Sequence, residues 1–69
     1  MTNSTIKLVQ ANIKKYRHER GYSQEELSEI AGISLDYLSE IERTKKIPSL
    51  KRLLQIAEAL EVPAFKFFQ

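Results

Sequence analysis

The polar side chains with most to offer lie in the middle of the chain. Ser23-Gln24-Glu25-Glu26 opens that stretch, and Ser34-Leu35-Asp36-Tyr37 follows a glycine. Arg43-Thr44-Lys45-Lys46 and then Ser49 close it. A second basic group, Lys14-Lys15-Tyr16-Arg17-His18, comes earlier, and acids fill the interval: Glu25, Glu26, Glu29, Asp36, Glu40 and Glu42. These types support recognition by charge and hydrogen bonds, with cations and hydroxyls gripping phosphate and carboxylates or hydroxyls reading base edges. Either basic group is equally compatible with an ordinary solvated face, and 11 Lys+Arg against 9 Asp+Glu, a net charge of +2, does not choose between them. Covalent and metal chemistry have no constellation here. The chain has no Cys, His18 is a single histidine without a ligand partner, and Glu25-Glu26 reads as a solvated pair. Both glycines sit at helix ends rather than in a phosphate-cradling loop. Neither enzyme activity nor a cofactor is expected.

These residues must be held by a small structure. A chain of 69 residues is one domain spanning 1–69 and buries a modest share of its surface. Without disulfides or a thiolate metal site, its stability must come from helix packing and from a partner chain. Apolar residues at 42% and charged residues at 29% suit a folded, soluble domain. No apolar run approaches the roughly 20 residues that span a bilayer. The opening MTNSTIKLVQ lacks the charged-then-apolar layout of a secretion signal. The expectation is a cytoplasmic protein that does not meet a membrane.

The punctuation marks predict five helices, at about 5–20, 24–31, 35–43, 49–60 and 64–68, and no strand. In the first, Ile6, Val9, Ile13 and Tyr16 recur at spacings of three and four, which makes one helix face, and Gly21 ends it. Ser23 with Glu26 three residues on is a capping-box pattern; Leu27, Ile30 and Ala31 form the apolar face, and Gly32 ends the second helix. Ser34 caps the third, with Leu38 and Ile41 inward. Pro48 disfavours helix at Ile47, and Ser49 caps the fourth, whose stripe is Leu50, Leu53, Leu54, Ala57 and Leu60. Pro63 suits the start of the short fifth helix.

Two short helices joined at Gly32, with small Ser28 where they cross and Ile33, Leu38 and Ile41 as pins, leave the outer face of the second clear of the core. An exposed helix of this kind fits the major groove, where each base pair shows a distinct pattern. From Ile6 to Leu60 the chain resembles the helix-turn-helix domain of phage repressors, Cro proteins and their bacterial relatives, the xenobiotic-response-element type. The resemblance rests on Ser23-Gln24-Glu25-Glu26-Leu27, Gly32, Ile41-Glu42-Arg43, Pro48-Ser49-Leu50, Leu53, Ile56, Ala57 and Leu60-Glu61-Val62, in this order and spacing. The small size and the apolar tail after the fourth helix also resemble restriction–modification controller proteins. The resemblance implies an all-α, compact five-helix, lambda-repressor-like domain. It also implies sequence-specific binding of double-stranded DNA, in a bacterium or phage.

On that reading the base contacts come from Ser34, Leu35, Asp36, Tyr37, Ser39, Glu40 and Arg43. Leu35 suits a thymine methyl, Asp36 or Glu40 could accept from cytosine N4, and Tyr37 could meet the sugar-phosphate wall. Asp36 equally suits the first turn of a helix, where an acid complements the dipole. Phosphate contacts fall to Ser23, Gln24, Thr44, Lys45, Lys46 and Ser49; the cations after the third helix also complement its C-terminus. The resemblance pairs Arg17 with Glu42 as a structural ion pair. Arg17, four residues after Ile13 on the apolar face, needs such a partner.

Phe65, Phe67 and Phe68 crowd the last five residues, more than a short helix can bury on one face. The expectation sets Phe65 inward and Leu60, Phe67 and Phe68 at a two-fold homodimer interface. Such a dimer would hold two reading helices roughly 34 Å apart on a palindromic operator. RNA polymerase, or another protein, is left as a further partner. The alternatives are an antitoxin-type or phage-immunity regulator and a protein-interaction module on the same scaffold.

Overall fold

The computed structural model describes residues 3–69. It contains four α-helices, α1 (Asn3–Glu19), α2 (Gln24–Ala31), α3 (Leu35–Glu42) and α4 (Leu50–Leu60), followed by a 3-10 turn (Ala64–Phe68). Among the described residues there is no strand. The helix starts are encoded locally. Ser23 accepts from the Glu26 N–H while Glu26 returns a bond to the Ser23 N–H, completing the capping box. Ser34 and Ser49 cap α3 and α4 in the same way, accepting from the Tyr37 and Arg52 N–H groups.

The core is Val9 and Ile13 of α1, Leu27 and Ala31 of α2, Leu38 and Ile41 of α3, Leu53, Ile56, Ala57, Ala59 and Leu60 of α4, and Phe67. α2 packs on α4 and α3, α3 packs on α1, α1 and α4 also touch, and the 3-10 turn closes against α1 and α4. Among the described residues, no helix is long and apolar enough to cross a membrane.

Six apolar side chains, Ile30, Leu50, Leu54, Leu60, Phe65 and Phe67, are placed otherwise than the sequence expectation. The fifth element is 3-10 rather than α, with about three residues per turn, so residues three apart share a face. Ala64 and Phe67 thus point inward together, and Phe65 and Phe68 point outward together. Phe67, expected outward, is fully buried and meets Tyr16 with ring centroids 6.0 Å apart; Phe65, expected inward, is 59% exposed. Leu60, expected at a dimer interface, lies in the protomer's own core. On α4 the buried stripe is Leu53, Ile56, Ala57 and Leu60, and Leu54, one residue or about 100° round from Leu53, is exposed together with Leu50. On α2 the helix is rolled toward Ser28, which is buried beside Leu27 and gives its Oγ–H to the Glu25 carbonyl, and this roll turns Ile30 to solvent.

Candidate nucleic-acid interface

α3 is held at both ends, and its outer face remains clear. Leu38 and Ile41 anchor it in the core, while Ser34, Leu35, Asp36 and Arg43 are exposed and Tyr37, Ser39 and Glu40 are half-buried. The expected base-contact residues thus fall on one helix and its flanks, although not all are equally free. The Ser34 hydroxyl accepts the Tyr37 N–H as the helix cap, which leaves its hydrogen to donate. The Tyr37 hydroxyl accepts the Ser49 N–H at 3.1 Å, which braces α3 against the start of α4 and leaves the phenolic hydrogen to donate. Lys46 Nζ stands 5.4 Å over the Tyr37 ring and 3.6 Å from Glu40 Oε1. This partly neutralises one of the two acids, Asp36 and Glu40, on the outer side of α3.

The end of α3 is tied to the first helix by charge. Arg17 forks onto Glu42, Nε to Oε2 at 2.7 Å and NH2 to Oε1 at 2.9 Å, with the two side chains 9% and 2% exposed. The remaining guanidinium nitrogen donates to the Tyr22 carbonyl at 2.7 Å, so burial of the charge is matched by bonds on every side. Gln24 joins the same group, its amide nitrogen donating to Glu42 Oε1 at 3.1 Å. A residue expected to hold phosphate therefore also braces α3 from the start of α2.

The phosphate candidates lie at the starts of α2 and α4 and in the loop after α3. Ser23 and Ser49 accept the Glu26 and Arg52 N–H groups as caps, which leaves each hydroxyl hydrogen to donate. At α4 the Ser49 N–H is taken by Tyr37, so the N–H groups of Leu50 and Lys51 are the ones left at that terminus. Arg43, Thr44, Lys45 and Lys46 all lie exposed in the loop after α3. That loop turns at Thr44, whose φ of 61° is a left-handed conformation seldom adopted by a β-branched residue. The Lys45 and Lys46 N–H groups both return to the Glu40 carbonyl, at 2.8 and 3.2 Å.

Two buried amides on α1 escaped the sequence reading. Gln10 donates to the Lys46 carbonyl at 2.8 Å, and Asn12 donates to the carbonyls of Phe67 and Gln69 at 2.8 and 3.0 Å. A signal for Gln10 was present: it stands three residues before Ile13 and four after Ile6, on the apolar stripe itself. Among the described residues, no group of three or more His, Cys, Asp or Glu side chains is placed to hold a metal.

A capped pair of short helices, turned at Gly32 and presenting the outer face of the second, defines a helix-turn-helix domain. The chain belongs to the helix-turn-helix family, whose profile matches residues 13–67. The regulator SinR of Bacillus subtilis is 43% identical over 56 residues, which is 80% of this chain and 50% of SinR. The chain thus spans about half the length of that relative. The solved structure of SinR, the master regulator for biofilm formation, in complex with DNA matches with a TM-score of 0.84 at 39% identity, covering 88% of this chain and 98% of that one. The restriction–modification controller protein C.AhdI from Aeromonas hydrophila matches with a TM-score of 0.87 at 27% identity, covering 97% of this chain and all (100%) of that one. The resemblance to Cro-like regulators and controller proteins therefore holds, and these relatives are transcriptional regulators rather than enzymes.

Proposed function

We propose that this chain is a transcriptional regulator that lays α3 in the major groove of double-stranded DNA and acts in the cytoplasm. The observation that carries this reading is the presentation of α3: its inner residues are locked in the core and by the Arg17–Glu42 pair, while Leu35, Asp36 and Arg43 stand exposed along its outer side. The fit of the fold to SinR solved with DNA supports it. Leu35, Asp36, Tyr37, Ser39, Glu40 and Arg43 take the base-edge roles, with Ser34 setting where the helix begins. Gln24, Thr44, Lys45, Lys46 and the start of α4 take the backbone.

The same proposal includes a symmetric homodimer on a palindromic operator. Leu60 and Phe67 are spent in the protomer core, so a second copy would draw on exposed apolar residues such as Phe68 and Phe65 of the tail and Leu50 and Leu54 of α4. Selection of bound sequences from random duplex DNA tests both parts, with wild type and a Leu35→Ala/Asp36→Ala double variant in parallel. An enriched two-fold site with half-sites about one turn apart, altered by the double variant, is expected. No enrichment by folded protein would remove the operator reading in favour of a protein-interaction module that uses the exposed apolar side chains.

A further inference from the structure

The loop after α3 has little apolar burial to hold it. Arg43, Thr44, Lys45, Lys46 and Ile47 are all exposed, Ile47 by 57%. Its left-handed turn at Thr44 is a conformation that must be imposed from outside. The ties already described, the Glu40 carbonyl on Lys45 and Lys46 and the Tyr37 hydroxyl on Ser49, all run back to α3 itself. They hold the two ends of the loop, at α3 and at the start of α4. Its middle is tied to the body of the domain from α1. Gln10 is 2% exposed, and its amide nitrogen reaches the Lys46 carbonyl at 2.8 Å across 36 residues of sequence. An amide is costly to bury unless it is bonded, and an apolar side chain would fill this stripe position at less cost. Its presence is explained by what it holds.

We infer that Gln10 is a positioning residue for DNA binding: through the Lys46 carbonyl it sets the loop 43–48 so that Arg43, Lys45 and Lys46 meet the phosphate backbone together with α3. This inference rests on the DNA-binding reading above. Gln10 itself touches no DNA. The Gln10–Lys46 bond is only part-buried, so the carbonyl can turn to water when the amide is removed, and Leu suits the apolar stripe. Gln10→Leu therefore keeps the fold while it frees the loop.

The test compares wild type, Gln10→Leu and Val9→Ala; the last removes buried volume from the adjacent position and keeps the amide. Each is titrated between about 50 and 200 mM salt against a labelled duplex carrying the selected site and a scrambled duplex of equal length, at a temperature where all are folded by circular dichroism. Gln10→Leu is expected to bind both duplexes roughly fivefold more weakly, the net worth of about one hydrogen bond, with a salt slope shallower by about one. Val9→Ala should match wild type in both. Amide hydrogen exchange without DNA should quicken at Lys45 and Lys46 in Gln10→Leu and stay unchanged in α2. Wild-type affinity and slope in Gln10→Leu, an equal loss in Val9→Ala, or unchanged exchange at Lys45 and Lys46 would each overturn the inference. If wild type binds neither duplex, the DNA-binding reading fails, and with it the role in binding; quickened exchange would then leave Gln10 only as the anchor of the loop.

Discussion

The recognition helix is bounded by two turns built on different principles. The turn before α3 is short and self-contained. Gly32 takes φ 72°, its N–H and that of Ile33 return to the carbonyls of Glu29 and Ser28, and Ser34 starts the next helix two residues on. The loop after α3 puts a threonine in the same left-handed region and draws on Tyr37, Glu40 and distant Gln10 for support. The first turn fixes the angle between two helices with a residue suited to it. The second carries a conformation its residue disfavours, held by contacts spread over the domain. The first turn rests on its own backbone and sets the fold; the second depends on distant residues, and under the proposed function it is where contact with DNA would be adjusted.

The largest effect should come from cutting the tie that secures the far end of α3. Glu42→Ala leaves the Arg17 guanidinium buried without its carboxylate, and the expected loss is about 3–5 kcal/mol in chemical denaturation. Native domains commonly hold only about 5–15 kcal/mol, so the variant should keep a much reduced margin of stability at ambient temperature. An apolar replacement of both partners, Arg17→Met with Glu42→Leu, should recover much of that loss. If the single variant is as stable as wild type, the far end of α3 does not depend on the pair, and the contrast between the two turns weakens.

The near turn is tested at its glycine. A Cβ at Gly32 would meet nothing within 4 Å, so the cost of Gly32→Ala is backbone strain alone, about 1–2 kcal/mol. A loss well above that range would mean that the turn makes contacts beyond its own backbone. Next in size is the cap. Ser34→Ala removes the acceptor for the Tyr37 N–H and should cost about 1 kcal/mol. Both losses should read out as stability, and Gly32→Ala should leave base preference unchanged in the population that remains folded.

How far the sequence disclosed this arrangement follows the same division. Ser23 with Glu26, Gly32, Ser34 and Ser49 act on neighbours within a few residues, so their roles could be read from spacing. The Arg17–Glu42 pair was legible because a charge on an apolar stripe demands a partner and the family pattern names it. The tail was not. An α-helical period at Phe65, Phe67 and Phe68 predicts the wrong inward residue, and nothing local announces a 3-10 turn that Asn12 holds by the Phe67 and Gln69 carbonyls. Gln10 failed for a related reason: its partner is a backbone carbonyl in a distant loop, which no residue type reveals. The roll of α2 about Ser28, which exposes Ile30, is likewise a property of packing between helices.

The smallest predicted effect discriminates best, because its sign differs between the two turns. At Thr44, glycine should relieve about 1–2 kcal/mol of left-handed strain at the cost of roughly 0.5–1 kcal/mol of extra chain entropy. The exposed bond from Thr44 Oγ1 to the Arg43 carbonyl is lost but readily replaced by water. The net expectation is a gain of about 0.5 kcal/mol, or roughly 2–4 °C in thermal midpoint for a domain of this size. Gly32→Ala loses stability at nearly the same φ, so the pair of variants brackets one backbone conformation from opposite sides. A Thr44→Gly protein less stable than wild type would show that the threonine side chain, and not the distant ties, holds the second turn. The difference argued for between the two ends of α3 would then disappear.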